Sequence, residues 1–247
     1  RERDERERDG RWRHQWLAAG SAAGPAAWLA AGRRAGHWEQ RTIVRSVLMG
    51  GSGSESKTTE TYPFAVTLNL NARFMPMDRG VFEDVLDETS RLHELGEVSG
   101  GGTLLSDSGE IEECDIELCL RDGSPELISM IGGLINAMGV PKGSRLLWDG
   151  EDGEPGELLV GQQEGLALYL NGTDLPDEVY QNCDANAMID HLVRLMDGIG
   201  SYYSHWVGPT KTALYFYGTS YEGMLAAIRD FLDEYPLCQG CRVVQIA

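Results

Sequence analysis

The chain has 247 residues, 42% of them hydrophobic, and a formal net charge of −18. Residues 1–50 contain ten Arg and six Asp or Glu, whereas residues 51–247 contain eleven Lys or Arg and thirty-three Asp or Glu. Such an acidic globular part repels nucleic acid and anionic lipid and favours cationic partners, although solubility alone is a sufficient reason for the charge.

Residues 1–59 are predicted to be a disordered or non-native N-terminal segment. They begin with the charge run "RERDERERDG" and continue with the Ala/Gly-rich "WLAAGSAAGPAAWLAAGRRAG", neither of which has the periodicity of a core element. Three interpretations stay open, namely upstream sequence outside the mature protein, a native tail, or a targeting peptide. No stretch reaches the roughly 18 apolar residues of a membrane span, so we expect no membrane partner.

A first folded domain is predicted over residues 60–148. The strand "FAVTLNL" precedes the helix "VFEDVLDETSRLHELG", and the strands "EVSGGGTLL" and "EIEECDIELCL" follow. The helix "SPELISMIGGLINAMG" has Ser124 as its N-cap and Pro125 at its first position, and the strand "SRLLW" completes the domain. The predicted order is β-α-β-β-α-β.

The second half repeats this order. "LNLNARFMP" and "LYLNGTDLP" share residues at an offset of one hundred, and the elements after each copy follow the same sequence. We therefore predict an acidic Gly/Pro linker over residues 149–162 and a second domain over residues 163–247. The fold class is α+β, with two tandem ferredoxin-like (βαββαβ) domains whose antiparallel sheets carry helices on one face.

The run "GEVSGGGT…GEIEECDIEL" resembles stretches of uncharacterised bacterial proteins, and this resemblance implies no activity. Its glycines lie between two strands, whereas a phosphate-binding glycine loop joins a strand to a helix. The glycines are therefore predicted to form a bulge or to permit a close backbone approach.

The first sheet is predicted to carry a binding surface. Side chains alternate along a strand, so Glu113, Asp115 and Glu117 should lie on the open face beside Thr67 and Asn69. This face is expected to bind a basic protein partner, and a merely solvated face is the alternative. No metal ligand is assigned, because the adjacent strand offers no carboxylate.

The second sheet is predicted to expose aromatic residues. By the same alternation Tyr169, Tyr215 and Tyr217 should point outward, where they resemble the stacking platform of RNA-recognition motif domains. Residues 149–247 contain four Lys or Arg and sixteen Asp or Glu, which argues against a nucleic-acid partner. We expect these tyrosines to pack against the other domain, a second subunit of a homo-oligomer, or a protein partner.

The remaining polar motifs predict no catalytic residue and no cofactor. "CQGC" follows a helix, whereas the first Cys of a redox pair usually begins one, and zinc would need a second pair of ligands. His191 and His205 have no recognisable nucleophile motif nearby. Five cysteines and no convincing secretory signal indicate free thiols in a reducing cytoplasm.

The leading hypothesis is a cytoplasmic, acidic protein-binding module that is not an enzyme, such as an immunity or inhibitor factor for a basic toxin or nuclease. The alternative is a tandem sensor that resembles ACT-type modules, which share the predicted topology and bind small ligands. An enzyme that depends on carboxylates and a metal is the third hypothesis.

Overall fold

The computed structural model describes residues 62–150 and 153–247, so the predicted N-terminal segment, 1–59, lies outside the described residues. The described chain is a mixed α+β structure with two antiparallel sheets and five helices. It divides into two compact units. The N-terminal unit comprises residues 62–106, 111–150 and 153–163, and the C-terminal unit comprises residues 107–110 and 164–246.

The N-terminal unit contains a five-stranded sheet and two helices. Its strands follow the order β2-β3-β1-β4-β5, and every neighbouring pair is antiparallel. The elements are β1 (Phe64–Leu70), α1 (Pro76–Leu92), β2 (Gly96–Leu105), β3 (Ile111–Leu120), α2 (Pro125–Ala137), β4 (Ser144–Asp149) and β5 (Pro155–Val160).

One face of this sheet forms the core of the unit. Val66 and Leu68 of β1 are buried, as are Ile116 and Leu118 of β3, whereas the alternate residues of both strands are half-buried or exposed. Both helices begin with proline. The backbone N–H groups of the first turn have no partner within a helix, so proline, which has no N–H group, loses no hydrogen bond there. As predicted, Ser124 caps α2 by accepting from the Leu127 amide.

The structure departs from the predicted linker at residues 149–162. Residues Pro155–Val160 form strand β5, which pairs with β4 along its whole length. Leu158 of β5 packs against α2 at Gly132, where an added Cβ would lie 2.7 Å from Leu158 Cδ2. The composition of this segment, rich in Gly, Pro and acidic residues, is typical of a linker and gives no sign of a strand. Its inward-facing Leu158 packs against a glycine of α2 that is distant in the sequence.

The C-terminal unit contains a four-stranded antiparallel sheet with the order β7-β8-β6-β9. Its helices pack Met188, Leu192 and Ile228 against Leu168 and Phe216 of the sheet. The elements are β6 (Glu164–Asn171), α3 (Asp177–Asn182), α4 (Ala185–Leu195), β7 (Gly200–Val207), β8 (Lys211–Gly218), α5 (Tyr221–Glu234), a 3-10 turn (Pro236–Cys238) and β9 (Arg242–Gln245).

Each helix in the described part of the chain is too short or too polar to cross a lipid bilayer.

The packing of β5 on α2 predicts different effects for two adjacent glycines. Gly133→Ala should stabilise the protein by about 0.5–1 kcal/mol, because it reduces backbone freedom in a helix and an added Cβ there meets nothing within 4 Å. Gly132→Ala should not give this stabilisation, because the added Cβ would displace the Leu158 side chain. Chemical denaturation measures both, and equal stabilisation by the two variants would contradict the packing of β5 on α2.

Candidate functional site

The open face of the first sheet carries a row of three carboxylates on β3, called here the acidic row: Glu113, Asp115 and Glu117. Asp115 lies directly opposite Asn69 of β1, and Glu117 lies opposite Thr67. Glu117 is exposed, and the other four side chains are half-buried. The structure therefore brings these five predicted residues together on one face, as the strand alternation predicts.

A hydrogen-bond network orders part of this face. The Asn69 Nδ2 group donates to Glu113 Oε2 at 3.0 Å and to Asp115 Oδ1 at 2.8 Å. The Asn69 Oδ1 atom accepts from Arg145 Nε at 3.3 Å, and Arg145 also lies 3.6 Å from Glu157 of β5. Sequence reasoning missed Arg145, although its position opposite Asn69 follows once β4 is paired with β1.

The carboxylates of the acidic row carry charge that the described part of the chain does not neutralise. None of the three forms a salt bridge with a described Lys, Arg or His, and Glu113 and Asp115 accept hydrogen bonds from the neutral amide of Asn69. Within residues 62–150 and 153–247, no group of three or more His, Cys, Asp or Glu is arranged to hold a metal ion. The face can therefore attract a cationic group without first breaking an internal ion pair.

The glycine run of β2 borders the acidic row and has a structural role on the opposite face. Arg79 of α1, whose side chain is 11% exposed, bonds to Glu83 and donates from Nη1 to Gly102 O and Thr103 Oγ1, each at 2.6 Å. A Cβ at Gly101 would lie 2.7 Å from Glu83 Oε1 and 2.6 Å from the Asp115 carbonyl oxygen. The predicted close backbone approach is confirmed at Gly101, and a break in register between Val98 and Gly100 is consistent with the predicted bulge.

The glycines on either side of Gly101 face the acidic row. Gly100 is opposite Glu117, and Gly102 is opposite Asp115. An added Cβ at Gly102 would come no closer than 4.0 Å to the Asp115 Cβ atom, so packing does not require glycine there. The absence of a side chain leaves the edge of the acidic row open.

Tyr169, Tyr215 and Tyr217, called here the tyrosine face, do not form the predicted outward-facing patch. Their exposed fractions are 8%, 0% and 1%. Alternation identifies the side of the sheet on which a residue lies but not what covers it, and both faces of β6 and β8 are buried. Self-association through the tyrosine face stays a prediction, and it would require these side chains to become exposed.

Glu110 is the partner of the tyrosine face that sequence reasoning missed. The turn Asp107–Glu110 belongs to the C-terminal unit. Within that unit the hydroxyls of Tyr169 and Tyr215 both donate to Glu110 Oε1, at 2.5 and 2.8 Å, and the Arg242 guanidinium lies 4.4 Å from the centre of the Tyr169 ring. No local pattern predicts this cluster, because Glu110 and Tyr215 are 105 residues apart.

The two histidines considered above both contact aromatic residues. His191 stacks on Phe231 with ring centroids 4.6 Å apart. His205 Nδ1 lies 3.0 Å from the Tyr202 hydroxyl, and burial lowers the pKa of His205.

Asp78, in the first turn of α1, is a titratable residue that the sequence did not single out. Burial raises the pKa of Asp78 from 3.8 to about 7, and a hydrogen bond with the Met75 backbone opposes this rise. The Asp78 carboxyl is therefore partly protonated near neutral pH, and the stability of this unit should depend on its protonation.

Comparison with known proteins gives no family. No family model matches the chain, and no curated protein matches it. The solved structures that align with it include an unknown protein from Galdieria sulphuraria, with 10% identity and a TM-score of 0.22; the alignment covers 74% of this chain and 95% of that chain. They also include a "putative monooxygenase from Lactobacillus acidophilus NCFM", with 11% identity and a TM-score of 0.25; the alignment covers 76% of this chain and 95% of that chain. At these TM-scores neither likeness implies a fold family or an activity.

The contact between α1 and β2 predicts that neighbouring glycines tolerate alanine differently. Gly101→Ala should destabilise the protein by about 1–3 kcal/mol, because its methyl group overpacks the Arg79–Glu83 pair and a backbone carbonyl. Gly102→Ala is the matched control and should be close to neutral. The midpoints of urea denaturation of the two variants measure this difference. Similar midpoints would show that the contacts of Arg79 do not require glycine at position 101.

The raised pKa of Asp78 predicts a pH-dependent effect of Asp78→Asn. The folded state holds the Asp78 proton more tightly than the unfolded state, so the contribution of Asp78 to wild-type stability should fall as pH rises from about 4 to about 7 and then level off. Because Asn stays neutral, the variant should gain thermal stability relative to the wild type at pH 8 compared with pH 5. A constant difference in melting temperature between the two proteins at both pH values would contradict the burial of an ionisable Asp78.

Proposed function

We propose that this chain is an acidic protein-binding module in which the open face of the first sheet binds a basic protein. The observation that carries the proposal is the acidic row, whose three carboxylates have no cationic partner among the described residues. Charge complementarity speeds association and selects partners more than it adds affinity. An inhibitor or immunity-type factor for a basic partner would use these properties.

The arrangement around the acidic row supports a protein partner over a small cation. The three residues are spread along one strand, and their successive Cα atoms are about 7 Å apart because each strand residue rises about 3.4 Å. The Glu113 and Asp115 carboxylates converge only on the Asn69 amide group, which bonds to both. A hard cation requires six or more oxygens at roughly 2.3–2.6 Å, whereas separate Lys or Arg side chains can each approach one carboxylate. Gly100 and Gly102 leave the edge of the row accessible.

We also propose that each unit is a ferredoxin-like domain. The strand order β2-β3-β1-β4 in the first sheet is the same as β7-β8-β6-β9 in the second when the strands are counted along the chain. In each sheet the first and third strands of the unit are antiparallel neighbours, and a helix separates the first strand from the second and the third from the fourth. Strand β5 is then an addition at one edge of the first domain.

The proposal predicts the effect of neutralising the acidic row. In the triple variant Glu113→Gln, Asp115→Asn and Glu117→Gln, each side chain keeps its shape, and positions 113 and 115 keep an acceptor oxygen for Asn69. Stability should hold or rise slightly, because exposed like charges repel one another. Affinity for a fluorescent peptide of alternating Arg and Ser should fall at least about threefold at low salt, since three exposed ion pairs contribute about 0.2–1 kcal/mol each.

A matched control removes the same number of charges from a helix of the other unit. Asp230→Asn, Asp233→Asn and Glu234→Gln change three exposed acids of α5. Fluorescence anisotropy should show a smaller loss of peptide affinity than in the acidic-row variant. Equal losses in the two variants would mean that the peptide responds to net charge, and the binding face would be refuted.

The same proteins test the metal-dependent alternative. A ligand that binds only the folded state raises the melting temperature by mass action. We expect no saturable rise when millimolar Mg²⁺ or Ca²⁺ is added to the wild type. A rise that disappears in the acidic-row variant would contradict the proposal and favour a carboxylate site for a cation.

A further inference from the structure

Cys238 and Cys241 lie at the two ends of a tight turn between α5 and β9. Gln239 has φ −61° and ψ 125°, Gly240 has φ +68°, and the Cys241 amide donates to the Cys238 carbonyl oxygen at 3.0 Å. These values define a type II turn, in which the third residue needs a positive φ and is usually glycine. The first and fourth Cα atoms of such a turn are less than about 7 Å apart, which overlaps the range of about 4.4–6.8 Å found across disulfides.

The two side chains also lie in the same region of the core. Cys238 is 2% exposed and belongs to the hydrophobic cluster of the C-terminal unit, where its Sγ atom is 3.8 Å from Met188 Sδ. Cys241 is half-buried and packs against that cluster, as does Cys183, which follows α3. Cys238 and Cys241 therefore share one border of the core with Cys183, which comes from a distant part of the sequence.

The electrostatics agree with this proximity. Burial, with smaller contributions from Cys241 and Cys183, raises the pKa of Cys238 to about 12. Burial also raises the pKa of Cys241, and nearby Asp233 adds to the rise. Both thiols are therefore protonated at neutral pH, and the more exposed Cys241 is the one that an incoming reagent reaches first.

We propose that Cys238 and Cys241 form a dithiol modification site that a low-molecular-weight disulfide converts to an intramolecular disulfide. The Cys241 thiol loses its proton, and the resulting thiolate attacks one sulfur of the reagent, which forms a mixed disulfide and releases one thiolate. Cys238 then loses its proton and attacks the Cys241 sulfur, which closes the ring and releases the second thiolate. Overall, two protein thiols lose two protons and two electrons, and the reagent is reduced to two thiols.

This inference is independent of the proposed binding face. The bond would join two residues whose backbones are already hydrogen-bonded, so the turn already holds them close together. It constrains the turn that leads into β9, a four-residue strand that pairs with β6. Oxidation should therefore slow amide exchange in β9 and leave the first sheet unchanged.

In the test, the full chain is treated with oxidised glutathione and then denatured. The thiols that remain are alkylated before digestion with trypsin. Trypsin cleavage after Arg229 and Arg242 releases both cysteines in the single peptide 230–242. We expect this peptide to become resistant to alkylation and two hydrogens lighter, whereas Cys119, a half-buried cysteine on β3, stays alkylatable or carries glutathione.

Two variants separate the roles of the thiols. Cys241→Ser should abolish the internal bond, and Cys183→Ser should leave it intact. The proposal is overturned if peptide 230–242 of the wild type carries only glutathione adducts, or if the main product links Cys183 to Cys238 or Cys241. Because peptide mapping of the wild type gives both outcomes, the test does not depend on the variants folding.

Discussion

The contact between α1 and the edge strand β2 in the N-terminal unit depends on a largely buried guanidinium. Arg79 of α1 is paired with Glu83 and bonds to Gly102 and Thr103 of β2, and Asp87 and Arg91 of the same helix also bond to β2. A buried charge is costly unless its partners are all in place. These contacts require a residue without a side chain at position 101 of β2. This packing requirement accounts for Gly101 without a bound ligand.

The same alternation that turns Gly101 towards the side chains of α1 turns Gly100 and Gly102 towards the opposite face. That face then presents the acidic row beside an edge that bears no side chains. Charge on the inner face is neutralised by Arg79, whereas charge in the acidic row is left available to solvent or to a partner. The proposed function thus follows from how one sheet distributes its polar groups between its two sides.

Sequence reasoning predicted what depends on local periodicity. It placed Thr67, Asn69 and the acidic row on one face, because alternation along β1 and β3 is strict. It failed where distant residues decide the outcome: the tyrosine face is buried with Glu110, and β5 packs on Gly132 of α2. Neither contact has a signal in composition or spacing, since each joins segments far apart in the sequence.

Binding of a basic peptide to the open face of the first sheet can be located residue by residue in an NMR titration. ¹⁵N-labelled protein is titrated with the alternating Arg and Ser peptide at low salt. If the open face binds the peptide, the amide shift changes concentrate in β1, in β3 and around Gly100 and Gly102, and they decrease as salt screens the charges. Changes that are largest in the C-terminal unit, or that follow exposed acids over the whole surface, would contradict binding at this face.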